Sequence, residues 1–221
     1  VILEAGGDIV DNNGAGNAAV ANPTDTVVLV AGGSIGDVQF NAGAAATGTA
    51  FEIDAFEANA QAGAAGEINI LDLDTNNNGL SISTETYTNK AGGTTTISGV
   101  TAGQDICIDV LNGEILPTFE VSSSNGSVAI RAQGAGAIID VSDTIEAAGT
   151  VSIESAGEIV NTGGVVRATN VVLEAANGIG DQPGTVDMRV EATNLAATTT
   201  TSQAGAPAES TAAPVNQGSP S

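Results

Sequence analysis

One short pattern recurs along the chain and constrains its fold more than any other feature. Recognisable copies run over Val1–Asp11 (VILEAGGDIVD), Val27–Asp37 (VVLVAGGSIGD), Val151–Asn161 (VSIESAGEIVN) and Val171–Asp181 (VVLEAANGIGD). Each copy opens on apolar residues in alternate positions, continues through small residues and then reaches an isoleucine. Alternation with a period of two predicts a half-buried strand, and paired small residues favour a tight corner. Each copy therefore predicts a strand, a corner and a second short strand.

The distance between copies indicates how the strands are arranged. Val151 and Val171 are 20 residues apart, and Val1 and Val27 are 26 apart. Strand repeats of this length, without helical periodicity, are typical of solenoids, in which each repeat buries its inner face against the next. We therefore predict an all-β fold, a parallel β-helix over residues 1–198 with roughly eight or nine coils.

The composition agrees with a narrow solenoid. Aromatic residues make up only 2% of the chain, and its 29 glycines are spread along it. Aliphatic and small side chains fill a narrow bore, whereas a sandwich of this size usually buries more aromatic rings. Further strands are predicted over Phe51–Ala55, Glu67–Leu73, Leu80–Thr84, Thr94–Ile97, Asp105–Leu111, Phe119–Ser122, Ser127–Ile130, Ala137–Val141, Thr185–Thr193 and Asn194–Thr198.

The composition changes near the C-terminus. Residues 199–221 are rich in Thr, Ser, Ala and Pro, and Val215 is their one sizeable apolar residue. Such a segment is typical of a disordered or extended linker. We predict a tail that docks on its own solenoid or on an adjacent subunit, with an O-glycosylated stalk as the alternative.

The charge excludes several classes of partner. The net charge is −22, and the basic residues are only Lys90, Arg131, Arg167 and Arg189. So acidic a chain is not expected to bind nucleic acid or an anionic membrane surface. No stretch approaches 18 apolar residues, so no membrane span is expected.

Catalytic constellations are largely missing. The chain has no histidine, which removes Ser-His-Asp triads and His-ligated metals. Cys107 is the only cysteine, so it is either an inert strand residue on the outer face or one half of an interchain disulfide. An acidic pair, Asp72 and Asp74, has the chemistry for acid–base work, but the bases and aromatics of polysaccharide-cleaving β-helices are scarce. We expect no enzyme.

One local motif indicates a metal. Residues 74–79 (DTNNNG), followed by Glu85, satisfy the spacing D-x-[DN]-x-[DN]-G-x5-E of a calcium-binding loop. The candidate calcium ligands are Asp74, Asn76, Asn78 and Glu85. The flanking segments are strands rather than helices, and Ser81 replaces the usual aliphatic residue. The alternative interpretation is an Asn/Gly hairpin or a coil corner. No cofactor other than calcium is indicated.

The repeats also resemble a known family. Val171–Asp181 and Val186–Thr198 are similar to the repeats of large secreted bacterial β-helix adhesins of the filamentous-haemagglutinin type. This resemblance implies a right-handed β-helix, a location outside the cell or on its surface, and a role as a stalk, fibre or adhesin. The secretion-domain motif of that family is absent from this sequence.

Three functions follow from these patterns. The first is a non-catalytic extracellular solenoid whose subunits stack, end to end or laterally, into a fibre, sheath or filament. Open coil ends favour it, because they expose unpaired backbone groups. The second is a segment of a giant secreted adhesin, which would contact surface glycans or a host surface. The third is a carbohydrate-binding or carbohydrate-cleaving β-helix.

Overall fold

The computed structural model describes residues 1–12, 16–37, 49–117, 119–180 and 186–200. These residues form strands and connecting turns, without a helix, and stack as a parallel β-solenoid of about seven turns. The strands are β1 (Ile2–Ala5), β2 (Val20–Ala31), β3 (Phe51–Gln61), β4 (Ile68–Asp72), β5 (Leu80–Ile82), β6 (Thr84–Thr88), β7 (Thr94–Ser98), β8 (Val100–Ala102), β9 (Ile106–Val110), β10 (Ile115–Pro117), β11 (Val121–Ser123), β12 (Val128–Ala132), β13 (Ile138–Val141), β14 (Thr144–Ala147), β15 (Thr150–Ser155), β16 (Glu158–Asn161), β17 (Val165–Ala175), β18 (Gly178–Ile179) and β19 (Val190–Thr199).

Each regular coil contains three strands. The chain passes through β12, β13 and β14 and then returns as β15 directly beside β12. The pairing is parallel throughout the solenoid, and β15 in turn pairs with β17. The predicted fold class is therefore confirmed.

Three stacks of aliphatic side chains fill the bore. The first is the Ile9–Leu195 stack, whose members in order are Ile9, Ile35, Ile68, Ile106, Val128, Val151, Val171 and Leu195. The second is the Leu3–Val190 stack, with Leu3, Leu29, Ala60, Val100, Val121, Ile145, Val166 and Val190. The third is the Leu80–Ile179 stack, with Leu80, Ile115, Ile139, Ile159 and Ile179. Between their ends these side chains are buried, and the stacks form one continuous core.

The four copies of the motif sort into two stacked pairs. Leu3 lies beside Leu29, which reproduces the spacing of 26 residues. Ile153 lies beside Leu173, which reproduces the spacing of 20. The opening strands of the first pair lie in the Leu3–Val190 stack and those of the second pair in the Ile9–Leu195 stack. The isoleucines that follow lie in the next stack in each case, Ile9 on Ile35 and Ile159 on Ile179. The motif therefore marks a strand–corner–strand unit that occurs at more than one corner of the coil.

Glycines allow adjacent corners to touch through their backbones. A Cβ atom added at Gly103 would collide with the carbonyl oxygen of Ala64 in the preceding coil. Coils spaced by about 4.8 Å leave no room there for a side chain. The small residues of the repeat are therefore required by contact between coils as well as by turn geometry.

A hairpin outside the coils corrects part of the predicted strand map. Residues 80–84 and 94–97 were both expected to be coil strands. Only β5 belongs to a coil, because β6 and β7 form an antiparallel hairpin. Its base is closed by a 2.7 Å hydrogen bond from the N–H of Gly99 to the carbonyl of Ser83. The predicted number of coils was too high partly because these residues were counted as coil.

The hairpin covers the outer face of β2. Its side chains Tyr87 and Ile97 form a small buried cluster with Val28, and Val30 packs against it. Val28 and Val30 occupy outward positions, where the other motif copies mostly place polar residues. The apolar residues at these positions are explained by the hairpin that covers them.

The last strand also differs from the prediction. β19 runs continuously from Val190 to Thr199, where two strands, Thr185–Thr193 and Asn194–Thr198, were expected. Thr185 and residues 201–221 lie outside the described residues, so the tail stays a prediction. The described part of the chain contains no helix that is long and apolar enough to cross a membrane.

Candidate functional site

The predicted calcium loop forms a corner of one coil. It connects β4, which pairs with β3 and β9, to β5, which pairs with β3 and β10. Asp74 and Asn77 have positive φ angles of 41° and 55°. Asp and Asn tolerate this left-handed conformation better than most residues. Of the two alternatives to a calcium loop, the structure shows the coil corner and not a hairpin.

The Asp74 carboxylate caps this corner. Its Oδ1 accepts a 2.9 Å hydrogen bond from the N–H of Asn78, and its Oδ2 accepts a 3.1 Å bond from the N–H of Gly79. The residue is buried. Asp side chains commonly close turns in this way, by accepting hydrogen bonds from backbone groups a few residues ahead. Both carboxylate oxygens are therefore already engaged by the protein.

The other candidate calcium ligands lie in different surroundings. Asn76 is exposed, and Asn78 lines a groove of about 280 Å³ together with Asn112 and Glu114. Glu85 stands on the hairpin, where its Oε2 accepts a 3.0 Å bond from the N–H of Thr86. It lines a separate groove with Val1, Ile2, Asp25 and Thr26.

The structure distributes the four candidate ligands over two elements, with Asp74, Asn76 and Asn78 in the corner and Glu85 on the hairpin strand β6. No group of three or more acidic or cysteine side chains within the described ranges is placed to hold a metal ion. The sequence matches the spacing of the calcium-loop motif. However, Glu85, its last candidate ligand, lies on β6, which belongs to the hairpin and not to the corner. Calcium binding at Asp74, Asn76, Asn78 and Glu85 stays a prediction.

Asp72 is the unusual acid of the corner. Its side chain is completely buried, and its neighbours in register are Ile53 and Val110 of the core. Oδ1 accepts bonds of 3.2 Å and 3.3 Å from the N–H groups of Ala55 and Asp74, while Oδ2 has no hydrogen-bond partner.

This environment changes the ionisation of Asp72. Burial raises its pKa from 3.8 to about 7, and the nearby carboxylates of Asp74 and Asp54 add to the rise. The two N–H groups on Oδ1 act in the opposite direction. The proposed acid–base pair therefore consists of one enclosed acid and one turn cap. Asp72 is not exposed to a substrate in this structure.

Cys107 lies at an outward strand position but is covered. It is buried, and its neighbours in register are Asn69 and Ala129. Beside it, Arg131 Nη2 lies 2.5 Å from Asp109 Oδ2. Burial raises the pKa of the thiol to about 11, so it stays protonated at neutral pH. Of the two interpretations, the structure supports the inert strand residue, because an interchain disulfide needs an accessible thiol.

Within the described residues, the core is uncovered at the two outermost coil strands, β1 and β19. Among the described strands, β1 pairs only with β2, and β19 pairs only with β17. Leu195 occupies an inward position of the core, yet 57% of it is exposed because none of the described coils lies on it. Val1, Ile2 and Val10 are exposed apolar residues at the other end. In the described part of the chain, each end therefore combines a strand edge that pairs on one side only with apolar surface, the combination that promotes strand addition.

The ends also differ in charge. Arg167 Nε lies 2.8 Å from Glu191 Oε2, and Arg189 Nη2 lies 3.1 Å from Glu191 Oε1. The hydrogen bond from Arg167 lowers the pKa of Glu191. The β19 end thus holds two of the four basic residues of the chain. At the β1 end, Glu4 and Asp8 are exposed.

The sequence predicted open coil ends but did not identify the residues that form their exposed surfaces. The signal was present in Leu195, which continues the inward positions of Val151 and Val171. Comparison of the chain with protein-family models, with curated protein sequences and with solved structures gave no match. The ends, the covered thiol and the enclosed acid are therefore interpreted from their geometry alone.

Proposed function

We propose that this protein is a non-catalytic structural module, a solenoid rod that joins to further coils at its ends and so builds a fibre, sheath or filament. The observation that carries the proposal is the uncovered end of the aliphatic core at β19, above all the inward-facing Leu195. Leu195 is 57% exposed, so covering it with another coil stabilises by about 1–2 kcal/mol through burial alone. Pairing the free strand edge adds backbone hydrogen bonds.

The charge favours end contacts over side contacts. A net charge of −22 makes the long sides of two rods repel each other. The ends bring together the apolar surfaces and, at β19, the basic residues Arg167 and Arg189. Added salt should therefore promote assembly by screening the net repulsion between two acidic rods that approach end to end.

A location outside the bacterial cell belongs to the same proposal and is supported by the resemblance to filamentous-haemagglutinin-type repeats. That resemblance also supports the second candidate, a segment of a giant adhesin. In that case the uncovered ends are continued by coils of one long polypeptide. The same open ends favour both candidates, so the state of assembly has to separate them.

The test is the size distribution of the full chain, measured by light scattering and negative-stain microscopy over a range of protein and salt concentrations. We expect rods that lengthen as either concentration rises. Seven coils correspond to about 34 Å per copy. A single rod of that length under all conditions would overturn self-assembly and favour the adhesin segment.

A matched pair of variants shows whether the uncovered core drives assembly. Leu195→Asp places a charge at an inward position of β19, and Ala196→Asp places the same charge at the neighbouring outward position. Both residues are exposed, so neither change disturbs a buried site. We expect only Leu195→Asp to abolish the longer rods.

A further inference from the structure

We propose that the partner at each end is a second copy of this chain, joined head to tail, so that Leu3 of one copy lies on Val190 of the next and Ile9 lies on Leu195. This inference rests on the proposed function and specifies its partner and its register. Three features of the rod support it: the direction of the strands, the order of the two longest stacks and the charges at the ends.

The strand direction makes the two ends complementary. Every pairing from β1 to β19 within the solenoid is parallel, so β1 and β19 run in the same direction. Moving one copy along the rod axis therefore brings β1 beside β19 as another parallel pair. Joining two like ends would instead require antiparallel pairing, which the coils do not use. A head-to-tail contact that does not close on itself generates a filament.

The stacks fix the register of this junction. Val190 is the last member of the stack that Leu3 begins, and Leu195 is the last member of the stack that Ile9 begins. Continuing both stacks by one coil places Leu3 on Val190 and Ile9 on Leu195. The same register places the small residue Ala5 on Ala192. The contact then repeats the aliphatic pairing found within the rod.

The charges favour unlike ends over like ends. In this register Glu4 lies beside Glu191, where Arg167 and Arg189 already bind that carboxylate. The side chain of Arg189 is 65% exposed and can serve a second carboxylate. Glu4 Oε2 also accepts a 2.9 Å hydrogen bond from the N–H of Lys90 in its own copy. The junction would contain three acidic side chains, Glu4, Asp8 and Glu191, and two basic ones, Arg167 and Arg189. A junction of two β1 ends would bring Glu4 and Asp8 of one copy near Glu4 and Asp8 of the other. A junction of two β19 ends would bring Arg167 and Arg189 of one copy near the same arginines of the other.

The register can be tested by cross-linking. In a Cys107→Ala background, Glu4→Cys and Glu191→Cys are combined in one full-length chain. In the proposed junction their Cα atoms are about 4.8 Å apart, within the range of a disulfide. We expect a ladder of covalent multimers after mild oxidation or treatment with a short bis-maleimide. Either single variant should give no product larger than a dimer, and neither dimer should form in high yield.

Two controls make the result specific. Ile2→Cys combined with Glu191→Cys shifts the pair by two residues, about 6.7 Å along the strand, and should give a weaker ladder. Arg189→Glu, in the wild-type cysteine background, should weaken assembly on the order of 10-fold at low salt and less at high salt. Arg189→Lys keeps the charge and should largely preserve assembly.

The outcomes separate this inference from the proposed function. Long rods seen by scattering without the Glu4–Glu191 ladder would overturn the register and leave end-to-end assembly standing. An abundant dimer from Glu4→Cys alone, or from Glu191→Cys alone, would show that like ends meet and would overturn the head-to-tail arrangement. Monomers at every protein and salt concentration would overturn both.

Discussion

The backbone N–H of Asp74 donates a 3.3 Å hydrogen bond to Oδ1 of Asp72, so two acids of one corner are directly linked. Their carboxyl groups are nevertheless in opposite situations. The Asp74 carboxylate is held by the N–H groups of Asn78 and Gly79, whereas Oδ2 of Asp72 faces the core without a partner. The corner therefore contains one carboxylate with donors on both oxygens and one acid whose protonated form burial favours.

Asp72 should make the solenoid less stable as the pH rises. Its pKa is about 7 in the folded protein, against 3.8 as the ordinary value. The folded state therefore favours the protonated acid, and this contribution is complete below about pH 4 and lost as the pH passes 7. The difference between the two pKa values corresponds to about 4 kcal/mol. Asp72→Asn should raise the free energy of unfolding by up to this amount at pH 8 and change it little at pH 4.

Denaturant unfolding at several pH values between 4 and 8 measures this effect. Glu154→Gln, which changes an exposed acid on the outer face, serves as the control and should leave the pH dependence of the wild type in place. An Asp72→Asn variant with the same pH dependence as the wild type would show that Asp72 is ionised, or solvated, in the folded protein.

Gly103 should be far less tolerant of a side chain than Gly178. Gly103→Ala would push a methyl group into the carbonyl of Ala64, whereas a Cβ at Gly178 meets nothing within 4 Å. Neither residue has a positive φ angle, so the comparison isolates contact between coils from turn strain. We expect Gly103→Ala to cost about 1–3 kcal/mol and Gly178→Ala to stay within about 0.5 kcal/mol. Thermal unfolding of both variants decides the matter, and equal costs would contradict the proposed backbone contact.

Asp74→Ala should destabilise the corner whether or not calcium is present. Removing the carboxylate leaves the N–H groups of Asn78 and Gly79 without their acceptor, at a cost of about 1–3 kcal/mol. The measurement is the melting temperature of wild type and variant in chelator and in excess Ca²⁺. A drop that is equal in both conditions indicates a turn cap. A rise with Ca²⁺ that is seen in the wild type and absent in Asp74→Ala would establish the ion site predicted from the spacing.

The register between coils is visible in the sequence because each coil must bury its inward side chains against those of the next coil. The 20-residue and 26-residue spacings correspond to residues in direct contact, such as Ile153 with Leu173 and Leu3 with Leu29. An inward residue of one coil must lie on an inward residue of the next, so the repeat length is visible as a pattern. The fold class was therefore predictable, although the number of coils was overestimated.

The hairpin was not predictable from alternation alone. Period-two alternation in residues 84–88 and 94–98 is the same whether the strands lie in a coil or fold back on each other. The useful signal lay elsewhere, in the outward Val28 and Val30, which needed a cover. The residues that reveal an element and the residues that form it are more than 50 positions apart in sequence.

The candidate site shows a similar division. The spacing of Asp74, Asn76, Asn78 and Glu85 gives only their separation along the chain. Where Glu85 lies in space depends on the direction in which the chain continues after β5. The burial of Asp72 was accessible from the sequence, because it has the same parity as Ile68 and Ile70 on β4. Interpreting Asp72 as one half of an acid–base pair overlooked that parity.

The parallel stacking of coils has a final consequence for length. Val151 pairs with Val128, which pairs with Ile106, so equivalent positions recur in each successive coil. Removing residues 128–150 would lay Val151 on Ile106 and leave the coils on either side with partners of the same kind. The rod would shorten by a single rise of about 4.8 Å. The length of the rod is therefore set by the number of its coils. Insertion or loss of one repeat unit would change that length by one rise and leave the packing of the core unchanged.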